Sequence, residues 1–275
     1  MSGTLYLVPT PIGNLGDISR RCVETLAAAD FIAAEDTRVS LKLLNHLELK
    51  KPLVSYHEHN KRESGPRIVE RLLAGETCAL VTDAGCPAIS DPGEDLVRLC
   101  AQAGVSVCAI PGPCAAITAL SVSALPTVRF AFEGFLPAQK KERKARLDRL
   151  RGEERTMIFY EAPHRLLDTL GELLDAFGPE RAVSLCRELT KLHEEVLRLT
   201  LAGAAAYYEA NEPRGEYVLV VDGAPRQAEA VSLEQAAALV QALVDTGVRT
   251  KDAVKQVSEE TGVAKNALYG FVVRK

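Results

Sequence analysis

The feature that most narrows the fold is an alternation running through the first half of the chain. Short, continuously apolar runs are separated by segments with helical spacing. The pattern predicts strands at 4–8, 31–34, 52–56, 78–82 and 105–110, and helices over 17–29, 39–47, 66–73, 93–103 and 115–125. Strands without polar alternation are buried on both faces, and the helices between them supply the cover. The reading is an α/β fold built on a parallel sheet.

Leu125-Pro-Thr-Val marks a junction. Beyond it, strands are expected near 129–134, 156–161, 182–187, 195–200 and 216–221, and helices near 140–150, 164–176 and 202–208. The strands at 182–187 and 195–200 follow one another with no crossover helix, which predicts a mixed sheet with antiparallel pairs. Residues 222–226 read as a linker, and 232–275 as helical. Ser232 and Gln235 have capping-box spacing. Residues 251–260, a turn at Gly262 and 264–269 look like a helix-turn-helix, although a plain three-helix cap fits as well. The expected domains are 1–126 (parallel α/β), 127–224 (mixed-sheet α/β) and 225–275 (helical).

Composition excludes several classes. With 47% apolar and 25% charged residues in 275, the chain is an ordinary globular sequence. A net charge of −4 excludes a wholly basic nucleic-acid coat but not a local basic face. Trp is absent and aromatics are 5%, which argues against an aromatic platform for single-stranded bases. The seven cysteines form no CxxC pair, so they are expected to be small buried thiols in a reducing cytosol, with no zinc site. No signal-peptide pattern and no apolar run of about 18 residues occurs, so a cytosolic protein with no membrane span is expected.

Chemistry concentrates at the strand ends, where open parallel sheets bind ligands. Three of these ends are rich in Gly and Pro: Pro9 to Asn14, Thr82 to Gly93, and Ile110 to Ala115. None is G-x-G-x-x-G or GxxxxGK[ST], which disfavours a nicotinamide site and a P-loop. Three rigid loops on one rim favour a small-molecule pocket lined largely by backbone. The pair His57 and His59 has no convincing third metal ligand and reads as a polar loop on the substrate side.

These loops belong to a longer series of motifs. They are residues 7–18 (LVPTPIGNLGDI), 34–38 (AEDTR), 55–60 (SYHEHN), 81–93 (VTDAGCPAISDPG), 111–115 (PGPCA), 133–137 (EGFLP), 160–165 (YEAPHR), 187–194 (RELTKLHE) and 214–216 (RGE). In this order they resemble the tetrapyrrole methylase superfamily and, within it, the ribosomal RNA small-subunit methyltransferase I family. The helical tail resembles that family's extra domain. Two departures from the superfamily pattern stand out. Pro9, Pro11 and Ile12 replace a Gly-rich first loop, and Cys114 stands where Ser or Thr is usual.

The resemblance implies two α/β domains with an S-adenosylmethionine cleft between them. It implies 2′-O-methylation of a cytidine ribose in the decoding region of 16S ribosomal RNA, met within the 30S subunit, by a homodimer. Carried over by position, the cofactor contacts are Pro11, Ile12, Asp83, Ala84, Gly85, Ala88, Ile89, Cys114 and Ala115, with Glu161, Ala162 and Gly215 from the second domain. A proton acceptor for the ribose hydroxyl is sought among Glu35, Asp36, Glu161 and Glu188, with Lys191 beside Glu188. Glu161, Glu188 and Lys191 are the leading catalytic candidates.

Residues 139–151 carry a local charge of +5 and 249–275 a charge of +3. The first run suggests an RNA-phosphate arm through Lys140, Lys141, Arg143, Lys144 and Arg146, joined by Arg165 at a helix start. A tetrapyrrole methylase and a non-catalytic ribosome-assembly protein are the competing readings. The basic run and the helical tail speak against the former, because a small macrocycle needs neither.

Overall fold

The computed structural model describes residues 2–225 and 231–273. Arg226 of the expected linker lies outside the described residues, as do Arg274 and Lys275 of the second basic segment. The chain divides into two compact units, Met1–Ala224 and Pro225–Lys275.

The first unit holds two five-stranded sheets. In the first sheet the strands are β1 (Thr4–Leu7), β2 (Phe31–Ala34), β3 (Leu53–Ser55), β4 (Cys78–Val81) and β5 (Ser106–Ala109). Their order is β3-β2-β4-β1-β5, and every pair is parallel. Helices α1 (Arg20–Ala28), α2 (Thr37–His46), α3 (Lys61–Leu73) and α4 (Glu94–Gln102) make the crossovers, and α5 (Ala115–Val122) leads from β5 to the second sheet. Strands β2 and β4 are buried at every residue, as unbroken apolar runs require. One apolar cluster, with Leu5, Phe31, Tyr56 and Leu80, packs under α3 and α4, and another, with Val8, Leu26, Ile32 and Val81, packs under α1 and α2.

Two boundaries differ from expectation. The helix expected over 17–29 is a short 3-10 turn (Leu15–Asp17) followed by α1, because the Ser19 hydroxyl accepts from the Cys22 amide and starts a new helix there. Helix α3 begins at Lys61 rather than Pro66. Pro66 is exposed, and the carbonyl it leaves unbonded belongs to exposed Arg62, where water can satisfy it.

The second sheet comprises β6 (Phe130–Phe135), β7 (Thr156–Glu161), β8 (Ala182–Arg187), β9 (Glu195–Thr200) and β10 (Tyr217–Val221), in the order β6-β7-β10-β8-β9. Strands β6 and β7 are parallel and the other pairs antiparallel, so the sheet is mixed as expected. Helices α6 (Lys140–Leu150), α7 (Leu166–Phe177) and α8 (Leu201–Ala210) accompany it. The core contains Met157, Phe159, Leu170, Leu185 and Leu219. Helix α5 of the first sheet packs on β7 and β10, sharing a cluster that includes Ala119, Ile158 and Val218.

In the second unit, α9 (Leu233–Asp245), α10 (Thr250–Thr261) and α11 (Lys265–Val273) enclose Val240, Val254, Val257 and Leu268. Ser232 and Gln235 form the expected capping box, and Gly262 is the left-handed cap of α10. Among the described residues, no helix is long and apolar enough to cross a membrane.

Candidate active-site cleft

The carboxyl ends of β1, β4 and β5 face the rim of the second sheet where β7 ends and β10 begins. A cleft of about 500 Å³ lies between them. The loop after β1 is stitched to the loop after β4. Thr10 and Gly85 exchange two backbone hydrogen bonds of 3.0 Å, and the buried Thr10 hydroxyl donates to the Thr82 carbonyl at 3.0 Å. The Cys86 thiol ties the second loop to the third by donating to the Pro113 carbonyl at 3.3 Å. The three Gly/Pro-rich strand ends thus form one wall.

That wall carries the carboxyls of Glu35, Asp83 and Asp91. The Thr82 hydroxyl donates to Glu35 at 2.7 Å, and Asp83 accepts from the Asp36 amide at 3.2 Å. Burial raises the Asp83 pKa, helped by the charges of Glu35 and Asp36 and opposed by that amide. Burial pushes Asp91 up to about 6, aided by Glu35 and Asp83 against a hydrogen bond with Thr82. Asp36 differs, since its hydrogen bonds with Arg38 hold it down at about 2. Cys86 and Cys114 meet in the cleft. Their mutual contact, with the first amides of α5, lowers the Cys114 pKa against the effect of burial, and the same contact and burial raise that of Cys86.

The opposite wall sets aromatic and apolar side chains beside Glu161, Lys191 and Glu216. Tyr160 makes edge-on contacts with Phe132 at 5.1 Å and Phe135 at 5.5 Å, and burial lifts its phenol to about 12. Phe135 is 53% exposed. Phe135, Tyr160 and Tyr217 bring three of the chain's few rings to this rim. Composition counts rings and says nothing of their clustering.

Of the expected cofactor residues, Ile12, Asp83, Ala84, Gly85, Ile89, Cys114, Ala115, Glu161 and Ala162 line the cleft. Pro11 and Ala88 belong to the same loops but do not line it. Gly215 lies instead on a smaller concavity of about 310 Å³ with Arg187, Glu188, His193 and Arg214.

The three catalytic candidates are tightly partnered. Glu161 is buried, with one oxygen accepting from the Ala162 amide at 2.9 Å and the other from the Thr169 hydroxyl at 2.6 Å. Arg165 lies 3.5 Å away. Lys191 donates to Glu188 at 2.9 Å and to Glu216 at 2.8 Å. Burial alone lowers the Lys191 pKa, but the two carboxylates outweigh it and the net shift is upward. Burial likewise works against ionised Glu188, and its bonds with Lys191 and the Glu216 amide reverse that into a lowered pKa. Lys191 is therefore an ammonium at neutral pH and not a base.

Gly215 has φ +78°, and a β-carbon there would sit 2.5 Å from Glu188 Cγ. Only glycine lets the 214–216 turn close against Glu188. His57 and His59 stack edge-on at 5.9 Å, and no cluster able to hold a metal occurs among the described residues.

The basic helix α6 divides by face. Arg143 is paired with Glu172 of α7, one contact measuring 2.8 Å, and Arg146 with Glu133 at 2.7 Å. Arg165 donates to the Leu136 carbonyl at 3.1 Å. Lys140, Lys141 and Lys144 point to solvent. Sequence reasoning overlooked Asp91, Phe135 and Tyr160. The signal was present in the motifs 81–93, 133–137 and 160–165, where these three residues sit beside positions already chosen.

Fold and cleft define a two-sheet α/β architecture with a ligand-sized cleft between the sheets. Residues 4–205 match the model of the tetrapyrrole (corrin/porphyrin) methylases. The chain is 49% identical over 98% of its length to the ribosomal RNA small subunit methyltransferase I of Halalkalibacterium halodurans, of which it covers 94%. It is 45% identical over 99% of its length to the protein of the same name from Escherichia coli O157:H7, of which it covers 96%. Among solved structures it resembles diphthine synthase (TM-score 0.60, 15% identity, 80% of this chain and 90% of that one). It also resembles the uroporphyrin-III-C-methyltransferase of Thermus thermophilus (TM-score 0.56, 20% identity, 79% and 94%). The chain belongs to the tetrapyrrole methylases and, among them, to the ribosomal RNA small subunit methyltransferase I family.

Proposed function

We propose that this chain transfers a methyl group from S-adenosylmethionine to the ribose 2′-oxygen of a cytidine in the decoding region of 16S ribosomal RNA. In this reading it acts in the cytoplasm, as a homodimer, on the assembled 30S subunit. Residues 1–126 and 127–224 are the two domains that flank the cofactor, and 225–275 are a helical domain. The observation that carries the reading is the 45–49% identity, over 98–99% of the chain, with relatives named ribosomal RNA small subunit methyltransferase I, on a chain whose family motifs line one cleft.

The residues of the cleft suit this cofactor. Ile12, Ile89, Ala115, Leu189 and Val218 offer apolar surface for an adenine, and the loop backbones at Ala84–Gly85 offer polar groups. The carboxyls of Glu35 and Asp83 suit the cationic sulfonium and amino groups. When bound, S-adenosylmethionine supplies an electrophilic methyl.

The chain's own work is then to orient the ribose, exclude water and receive a proton. Asp91 is our choice to receive it. Its carboxyl is half-buried and faces the cleft, and its affinity for a proton is raised toward neutrality. Glu188 and Lys191 hold the rim, and Glu161 fixes the turn at Ala162–Arg165. The exposed lysines of α6 draw in the phosphate backbone.

Purified protein and labelled S-adenosylmethionine are incubated with 30S subunits from a strain lacking the modification, and the label is mapped. A 2′-O-methylcytidine in the decoding region is the expected product. Label on free RNA or uroporphyrinogen but never on subunits refutes the reading.

A further inference from the structure

We infer that the concavity bounded by Arg187, His193 and Arg214 is a second binding site, which takes a phosphodiester of the RNA strand next to the target ribose. The inference rests on the chain being an RNA methyltransferase, and it names where the substrate backbone is gripped.

The first support is position. Tyr217 of the main cleft stands opposite Arg187 in the β8–β10 ladder and opposite Glu161 in the β7–β10 ladder. Neighbouring strands are about 4.8 Å apart, so Arg187 follows the cleft along the same rim within about 10 Å of Glu161. The two hollows share one partition. Lys191 and Glu216 face the main cleft, and Glu188 and Gly215 face the concavity. A ligand that occupies both is extended and, on the second side, anionic. A nucleic-acid strand has that form.

The second support is the donor set. Arg187 spends its Nε on Glu195 at 3.1 Å, which leaves guanidinium donors for a second partner. Arg214 pairs with Glu212 through a single oxygen, at 3.1 and 2.7 Å, and both side chains are exposed. Exposed pairs of this kind are weak, and a phosphate can displace or share them. The acids nearby are already partnered: Glu188 by Lys191 and the Glu216 amide, Glu194 by the Thr190 amide, Glu195 by Arg187, Glu212 by Arg214 and Glu216 by Lys191. The close turn at Gly215 brings Arg214 beside this partition. Phosphate contacts of this sort set the register of a strand.

The test uses the full chain with Arg214→Ala and His193→Ala, singly and together. Both residues are exposed, and melting curves check the fold. Arg187→Lys keeps the charge and removes the fork. S-adenosylmethionine affinity is read by calorimetry, and kcat and KM are read with 30S subunits at several salt concentrations. The double variant is expected to keep cofactor affinity and to raise the subunit KM about tenfold. Its log–log salt slope should fall by about 1. A folded, cofactor-binding double variant with wild-type KM and slope overturns the site. Loss of inorganic-phosphate binding without a change in subunit KM marks a free-anion site and overturns it too. A wild-type protein that binds cofactor yet methylates no RNA refutes the parent reading instead, so the two failures are distinct.

Discussion

The stem of Lys191 lies directly across Gly13. A β-carbon at position 13 would fall 2.5 Å from Lys191 Cγ and 3.0 Å from its Cε. The loop after β1 and the loop after β8 therefore meet backbone to side chain, with the ammonium carried on to Glu188 and Glu216.

Gly13→Ala should push this stem aside and undo both ion pairs. Methylation kcat/KM is expected to fall at least about tenfold, a barrier change of about 1.4 kcal/mol. The midpoint of thermal unfolding should move little, since Gly13 is exposed. Steady-state kinetics and calorimetry on the same preparation decide it. An unchanged kcat/KM would show that the position of Lys191 is immaterial.

Asp91 gives a signed pH dependence. A carboxyl with its pKa raised to about 6 is protonated below that pH and cannot accept a proton there. The kcat/KM profile should rise with pH through about 6, and Asp91→Asn should lose this limb along with about 10²–10⁴ of the rate. Stability runs the other way. The folded-state pKa exceeds the ordinary 3.8, so wild-type stability falls as pH rises from about 4 to about 6. At pH 8 the Asn variant should unfold at a higher temperature than the wild type. An acid limb that survives in Asp91→Asn excludes this residue as the acceptor.

Thr169→Val tests the seat of Glu161. It removes the 2.6 Å donor to a buried carboxylate while keeping the shape of the side chain. The expected loss is about 1–3 kcal/mol in urea unfolding, because the oxygen is left buried without its partner. Thr169→Ser should recover most of it.

The two faces of α6 should separate RNA binding from stability. Lys140→Glu, Lys141→Glu and Lys144→Glu together should weaken RNA binding and flatten its salt dependence, with the melting temperature unchanged. Arg143→Met should do the reverse, because it strands the partly buried Glu172 and costs about 1–3 kcal/mol. Equal salt slopes for the triple variant and the wild type would remove the lysines from the RNA contact.

Much of this organisation was legible in the residues. Unbroken apolar runs such as Cys78–Val81 mark buried parallel strands, and the short spacing between Arg187 and Glu195 forces an antiparallel return. Local rules failed where a hydrogen bond or solvent decided the outcome, as at Ser19 and Pro66. The cleft was legible as loops, because Gly and Pro announce rigid turns. The partners of its side chains were not. Glu161 and Asp91 are both carboxylates in motif segments at the rim, but only the fold puts Thr169 against one and gives the other an open face. The basic run 139–151 likewise conceals which cations turn inward, because Glu172 is 29 residues from Arg143 in the chain.

The walls of the cleft come from opposite ends of the first unit, from Ile12 to Val218. A ribosome adding about 5–20 residues per second reaches Val218, which completes the second wall, roughly 5–20 s after Ala115 completes the first. Until then the early sheet presents Ile12, Ile89 and Asp83 to solvent with no facing surface. A chain that stops before Tyr217 lacks β10, and with it the centre of the second sheet and one side of the cleft.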